Sequence, residues 1–322
     1  MNSMKWQWNP LKTRRDSRAK SEPKPIGKDV NSDDFQAANG TITSLLSRVR
    51  LKSPPVPFGG ETRAVSKTSP EHLAYTSFLK QHPEYLRTLE LDDVRKEEFE
   101  RLDKQRHIYL DYTGGAVYPK SLVESHTSIL LHSTLGNPHS VNPTSTLSTE
   151  YADAARAAVL RFFEADPKIY DVMFTQNATG ALKLVGESYP FTEGSRLLLP
   201  LDSHNSVAGI SEFAKRKEAT VDIIPLQHDL RLDDSDVLKS LHIPPSSASQ
   251  PNLFIYPAQS NLSGVQHSLE YIRLAKAQGW DVFLDASAYV PTKKLNLSEV
   301  PVDFVCISFY KVCLGTLPVL GV

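Results

Sequence analysis

Apolar residues recur along this chain with two periods, and the two alternate. Within residues 146–165, Ala154, Ala155, Ala158, Val159 and Phe162 fall on one helical face. Similar spacing predicts helices over 71–79, 119–134, 205–217, 233–242 and 268–278, with another starting near Ala178 and a charged helix-like segment over 90–104. Between them lie short runs rich in β-branched, aromatic and leucine residues: 108–111, 172–174, 196–199, 221–225, 253–256, 282–284 and 304–307. Short apolar strands separated by helices predict an α/β fold. We expect a mixed, mostly parallel sheet of about seven strands between helical layers. Ligands of such sheets bind outside the carboxyl ends of the strands, so the residues just after each run are the ones to read for chemistry.

The first 70 residues do not share this pattern. They are rich in Ser, Pro and Asn, and the Pro-containing stretch 52–57 with Gly59 and Gly60 opposes both helix and strand. Too few apolar groups are present to offset the entropy of ordering, so 1–70 is expected to be a disordered tail and 71–322 the folded domain. Ile42, Leu45, Leu46 and Val49 allow one short amphipathic helix within the tail.

Charge sharpens that division. Residues 1–70 hold 13 Lys and Arg against 6 Asp and Glu, a net +7, which leaves −8 for the rest of a 322-residue chain whose total is −1. The near-neutral total opposes polyanion binding by the whole chain and leaves nucleic acid only the basic tail. The Lys/Arg cluster at 12–20 is readable as a solvated face or as a nuclear or organelle signal. No run of 18 apolar residues suggests a membrane span, and no apolar signal core follows Met1. Two cysteines, Cys306 and Cys313, exclude a disulfide scaffold and a four-cysteine zinc site, and they fit a reducing, cytoplasmic setting.

Each strand end offers a candidate. After 172–174, small and polar residues through Ala178 and Thr179 open a helix whose free N–H groups suit a phosphate; an ordinary cap by Asn177 or Thr179 explains them equally. No Walker lysine and no dinucleotide glycine pattern accompany them. After 196–199 comes His204, able to face a ligand or simply to be hydrogen-bonded. Asp202 beside it invites a metal reading that lacks a third ligand. Asn261 follows 253–256 in what is also a plausible turn, Asp285 ends 282–284, and Ser308 and Lys311 follow 304–307. A strand-end lysine and a strand-end carboxylate are both costly to bury unpaired. Together with a phosphate cradle, they are what pyridoxal 5'-phosphate requires: an amine for its aldehyde, an acid for its ring nitrogen, and fixed donors for its phosphate.

The stretches 109–116 (YLDYTGGA), 136–140 (GNPHS), 174–181 (FTQNATGA), 285–289 (DASAY) and 303–311 (DFVCISFYK) resemble the class V aminotransferase family, which includes the cysteine desulfurases. Within it, the likeness is to the aminotransferase-like domain of molybdenum cofactor sulfurases and related fungal proteins. The resemblance covers about 105–312 and implies the large domain of a fold-type-I pyridoxal phosphate enzyme.

It also implies roles. Lys311 would form the aldimine with the cofactor and shuttle a proton, and Asp285 would hold the pyridine nitrogen. His204 would stack on the ring, Asn261 would bond its phenolic oxygen, and Ala178, Thr179 and Ser308 would bind the phosphate. Tyr112, Thr113 and Gly114 would line the substrate side, and Asn137 and His139 would lie near the entrance. The implied reaction is sulfur transfer from L-cysteine or a similar amino acid, in a protein that pairs as a homodimer.

The chain departs from bacterial desulfurases at Ala288, where they carry Gln, and at Tyr310, where they carry His. Val322 stands before any counterpart of the family's small domain, so the sequence reads as C-terminally curtailed. Cys313, two residues beyond Lys311, is a poor stand-in for the sulfur-accepting cysteine, and Cys306 within an apolar strand reads as core. Transamination, kynureninase-like cleavage and selenocysteine lysis remain open as other reactions of the same constellation, as does a fragment without turnover.

Overall fold

Within the central strands, alternate side chains go to opposite faces, and both faces are apolar. Leu198, Phe254, Tyr256, Val282 and Leu284 join one buried cluster; Leu197, Leu199, Leu253, Ile255 and Phe283 join the other. That is the signature of a sheet covered on both sides by helices. The computed structural model of the chain describes residues 69–312 apart from 245, 246 and 248. Expectations for the basic tail before Ser69, for Cys313 and for the final residues lie outside that range.

Among the described residues, five strands form one sheet: β1 (Arg196–Pro200), β2 (Thr220–Ile224), β3 (Leu253–Pro257), β4 (Asp281–Asp285) and β5 (Phe304–Cys306). Their order is β2-β1-β3-β4-β5, and every adjacent pair is parallel. The helices are α1 (Pro70–Gln81), α2 (Leu89–Glu98), α3 (Glu100–Lys104), α4 (Lys120–His132), α5 (Pro143–Phe162), α6 (Ala178–Ser188), α7 (Asn205–Ala208), α8 (Ile210–Arg216), α9 (Asp234–Leu241), α10 (Glu270–Ala277) and α11 (Phe309–Val312), with a 3₁₀ segment at Pro83–Thr88.

Helix starts follow local chemistry. Ser69 caps α1, Asn142 caps α5 and Asp233 caps α9, each accepting backbone N–H groups of the first turn. Leu182 of α6 with Val207, Ile210 and Ala214 of α7 and α8 covers one face of the sheet. Val237 and Leu241 of α9 with Tyr271, Ile272 and Ala275 of α10 cover the other. Each large side chain buried in this way contributes about 1.5–3 kcal/mol. Gly186 lets α6 approach α8 closely, because a Cβ there would sit 3.1 Å from Ile210 Cγ1.

The α/β class and the parallel order agree with the sequence reading, but two of the seven expected strands do not form. Residues 108–111 and 172–174 join no ladder. Ile108 and Leu110 point outward, 77% and 84% exposed, while the Tyr109 hydroxyl donates to the Asp111 and Gly115 carbonyls. Val172 offers its carbonyl to Arg156 Nε and its N–H to Asp171. A β-prone run becomes a strand only beside a partner strand, and neither run has one among the described residues. The expected 205–217 helix is divided at Gly209.

Candidate active site

The carboxyl edge of the sheet gathers the candidates. Asp285 ends β4 and pairs in register with Cys306, the last residue of β5; Ser308 and Lys311 follow directly, the latter in α11. The strand-end acid and the strand-end lysine therefore leave adjacent strands at the same edge. Asp285 is 7% exposed. Its Oδ1 accepts the Ser287 N–H at 3.0 Å and the Cys306 thiol at 3.5 Å, whereas Oδ2 has no partner among the described residues. Oδ2 is not among the fully buried unpartnered atoms, so this oxygen of a largely buried carboxylate remains open to a group that arrives with an N–H.

Cys306 is itself wholly interior. Burial first, then the charge and hydrogen bond of Asp285, push its thiol well above the ordinary cysteine value. Lys311 makes no ion pair among the described residues; its Nζ lies 5.9 Å from the centre of the Tyr310 ring. Ser308 is buried, and its hydroxyl makes no hydrogen bond among the described residues.

The loop 109–116 is docked on this segment. Ala116 N–H donates to the Tyr310 carbonyl at 3.0 Å, and Gly115 lies under the Tyr310 ring, where a Cβ would come within 3.5 Å. Asp111 Oδ1 accepts the Gly114 N–H at 3.1 Å, and Gly114 leaves no room for a Cβ beside that carboxylate. Tyr112, half-exposed, packs edge-on against Tyr109. Tyr112, Thr113 and Gly114 are thus brought up to the lysine-bearing helix by backbone hydrogen bonding. Asn137 instead uses its side chain on the His139 N–H, closing a turn of its own.

At α6, Asn177 is the cap: its Oδ1 accepts the Gly180 N–H at 2.8 Å. The N–H groups of Ala178 and Thr179 have no partner among the described residues, and α6 directs its positive end there. Thr179 Oγ1 meets Ser206 Oγ at 2.7 Å, and Ser206 Oγ lies 3.0 Å from His204 Nδ1. The Ser206 N–H also donates to that Nδ1 at 3.2 Å, so the ring proton resides on Nε2. The Thr179 and Ser206 hydroxyls and the His204 imidazole form one chain from α6 to the loop after β1. Asn261 stands exposed at the tip of the loop after β3, its side chain unbonded among the described residues, while Ser260 beneath it caps the Leu262 and Ser263 N–H groups.

Asp202, considered as a metal ligand, is instead paired with His267 at 2.9 Å, and no group of three metal-ligating side chains occurs among the described residues. Ser206 and His267 carry little or no signal in the sequence. The only local signal for Ser206 is its place two residues beyond His204; for His267 there is none, since its partner lies 65 residues away.

Residues 108–316 match the aminotransferase class-V family. The chain belongs to that family. Its members depend on pyridoxal phosphate, and the residues present fit this group: an Asp285 oxygen and the Lys311 amine at the carboxyl edge of the sheet, and the first N–H groups of α6, are each without a hydrogen-bond or ion-pair partner among the described residues. Among class-V relatives, the chain is 38% identical to human molybdenum cofactor sulfurase over 242 residues, which is 69% of this chain and 26% of that protein. It is 34% identical to the Arabidopsis thaliana molybdenum cofactor sulfurase over 254 residues, 69% of this chain and 31% of that protein. The chain thus spans about a quarter to a third of these curated relatives' length.

Two solved cysteine desulfurase structures share the fold. The apo cysteine desulfurase of Thermococcus onnurineus NA1 aligns with a TM-score of 0.59 at 24% identity, over 68% of this chain and 53% of that one. The S-sulfonic acid form of the Escherichia coli cysteine desulfurase CsdA aligns at 0.56 and 23%, over 68% and 54%.

Proposed function

We propose that this chain is the cofactor-binding domain of a pyridoxal-phosphate-dependent sulfur transferase acting on L-cysteine. The observation that carries the reading is the open Asp285 Oδ2 on the strand next to the one that delivers Lys311. When bound, the cofactor supplies an electron sink for negative charge developing on an amino acid substrate.

The chain's own residues do the rest. Lys311 Nζ would supply the amine for the cofactor aldehyde and hold a proton for the substrate carbon. Asp285 Oδ2 would accept a hydrogen bond from the ring N–H. The Ala178 and Thr179 N–H groups and the Ser308 hydroxyl would hold the phosphate. His204, whose Nδ1 is tied to Ser206, would offer its ring to the cofactor. Asn261 would donate to the phenolic oxygen, and Tyr112, Thr113 and Gly114 would flank the substrate.

The overall balance is L-cysteine plus a thiol acceptor giving L-alanine plus the acceptor persulfide. Cys306 does not serve as that acceptor, because the attacking species is a thiolate and burial beside Asp285 holds this thiol protonated. Support for the sulfurase reading over other class-V reactions comes from the relatives named above. The test is to incubate the purified chain with pyridoxal phosphate, L-cysteine and a small thiol. With the thiol in excess, a second thiol releases sulfide from the persulfide and ends as the disulfide, so equal amounts of alanine and sulfide are expected; pyruvate, or transfer of the amino group to a keto acid, would replace sulfur transfer with another reaction of the family.

A further inference from the structure

The strand order contains one place where the connections part. The chain leaves β1 toward β2 and leaves β3 toward β4, although β1 and β3 are neighbours. Their ladder stops early, at Leu198 opposite Phe254, before either strand ends. Beyond that point each loop is anchored away from the other: Leu201 N–H donates to Ile224 of β2, and Ala258 N–H donates to Asp285 of β4. Such a divergence opens a crevice at the carboxyl edge. Here its two walls are the loops that carry His204 and Asn261.

One buried pair spans the crevice. His267 Nε2 lies 2.9 Å from Asp202 Oδ2, with side chains 2% and 1% exposed. Asp202 stands two residues before His204. His267 closes the Asn261 loop: its N–H donates to the Ala258 carbonyl, and the Gln259–Gln266 bridge and the Ser260-to-Val265 hydrogen bond lie inside it. Burial alone would raise the Asp202 carboxyl. The hydrogen bond and charge of His267, with the Ser260 hydroxyl, hold it below the usual range instead. The other carboxylate oxygen, Oδ1, has no partner among the described residues, so His267 is the main compensation for a buried acid.

We propose that the Asp202–His267 pair is a latch that fixes the separation of the His204 and Asn261 loops and so sets the slot that receives the planar cofactor. The functional half of this inference rests on the cofactor reading above. Neither residue is a catalytic residue; each acts by positioning a neighbour in its own loop.

The experiment compares His267→Leu, which removes the donor, with His267→Gln, which keeps an N–H at similar reach. Amide hydrogen exchange on the cofactor-free chain should accelerate about tenfold over both 202–206 and 259–266 in the leucine variant, with the β4 amides unchanged and glutamine restoring protection. Titration with pyridoxal phosphate, followed by absorbance, should show affinity weakened about tenfold by leucine and largely recovered by glutamine. Loosening confined to 259–266, or equal affinity in wild type and leucine variant, would overturn the latch. Failure of the wild-type chain to take up pyridoxal phosphate, with the exchange result intact, would remove the cofactor reading and leave the coupling of the two loops standing. Should the leucine variant not fold, Asp202→Asn, which keeps the shape but loses the charge, is read in the same two assays against the same outcomes.

Discussion

The two edges of the sheet are built from similar residues put to opposite uses. At the amino edge every prominent polar group is matched. Asn252 Oδ1 accepts the Arg196 N–H at 2.8 Å, and its Nδ2 donates to the Ser247 and Gln250 carbonyls. The Arg196 guanidinium donates to Asp222 and to the His242 carbonyl. Asp281 accepts from the Tyr189 hydroxyl at 2.8 Å, and burial raises its carboxyl above the ordinary value. Asp303 takes the Val282 N–H and Lys276. At the carboxyl edge the matching is left incomplete: Asp285 Oδ2, the Asn261 amide and the first N–H groups of α6 are free, and Asp202 Oδ1 and the Ser203 hydroxyl are buried without partners among the described residues. Polar groups saturated by the protein serve stability, whereas the accessible groups left open, Asp285 Oδ2, the Asn261 amide and the first N–H groups of α6, are available to a ligand.

Variants at the two edges should therefore separate stability from binding. The largest effect is expected at the amino edge. Asn252→Ala removes three hydrogen bonds and strands the Arg196 N–H and two carbonyls. It should cost about 3 kcal/mol in chemical unfolding while the folded fraction keeps its affinity for pyridoxal phosphate. Asp285→Asn should show the reverse. Its unfolding midpoint should stay close to wild type, whereas turnover falls on the order of a hundredfold because the ring nitrogen loses its anionic partner. The smallest effect is expected for Ser206→Ala. The Thr179-to-His204 chain loses its hydroxyl link but keeps the backbone N–H on His204, so pyridoxal phosphate affinity should drop about fivefold, near 1 kcal/mol, with little change in stability. An equal loss of stability and affinity in all three variants would dissolve the distinction between the edges.

The same contrast explains what could be read in advance. Strands such as 253–256 and 282–284 are apolar on both faces, and the helices between them are amphipathic, so both announce themselves locally. Residues 172–174 carry the same local signal, yet a ladder is a property of two segments, and here the second is missing among the described residues. The candidates Asp285, Ser308 and Lys311 are legible because each stands at, or within one helical turn and a half of, the carboxyl end of an apolar strand. Ser206 and His267 are not, because their meaning comes from Thr179 and Asp202, 27 and 65 residues away. Cys306 looked like core and is core, but its contact with Asp285 appears only once β4 and β5 are in register.

Every role proposed for the site requires Lys311 to be the amine that takes the cofactor. The direct measurement is borohydride reduction of the pyridoxal-phosphate-loaded chain, followed by proteolysis and mass mapping of the pyridoxyl label. The account predicts a single label on Lys311 and no stable label in Lys311→Ala. A label spread over surface lysines, or one unchanged in Lys311→Ala, would contradict it.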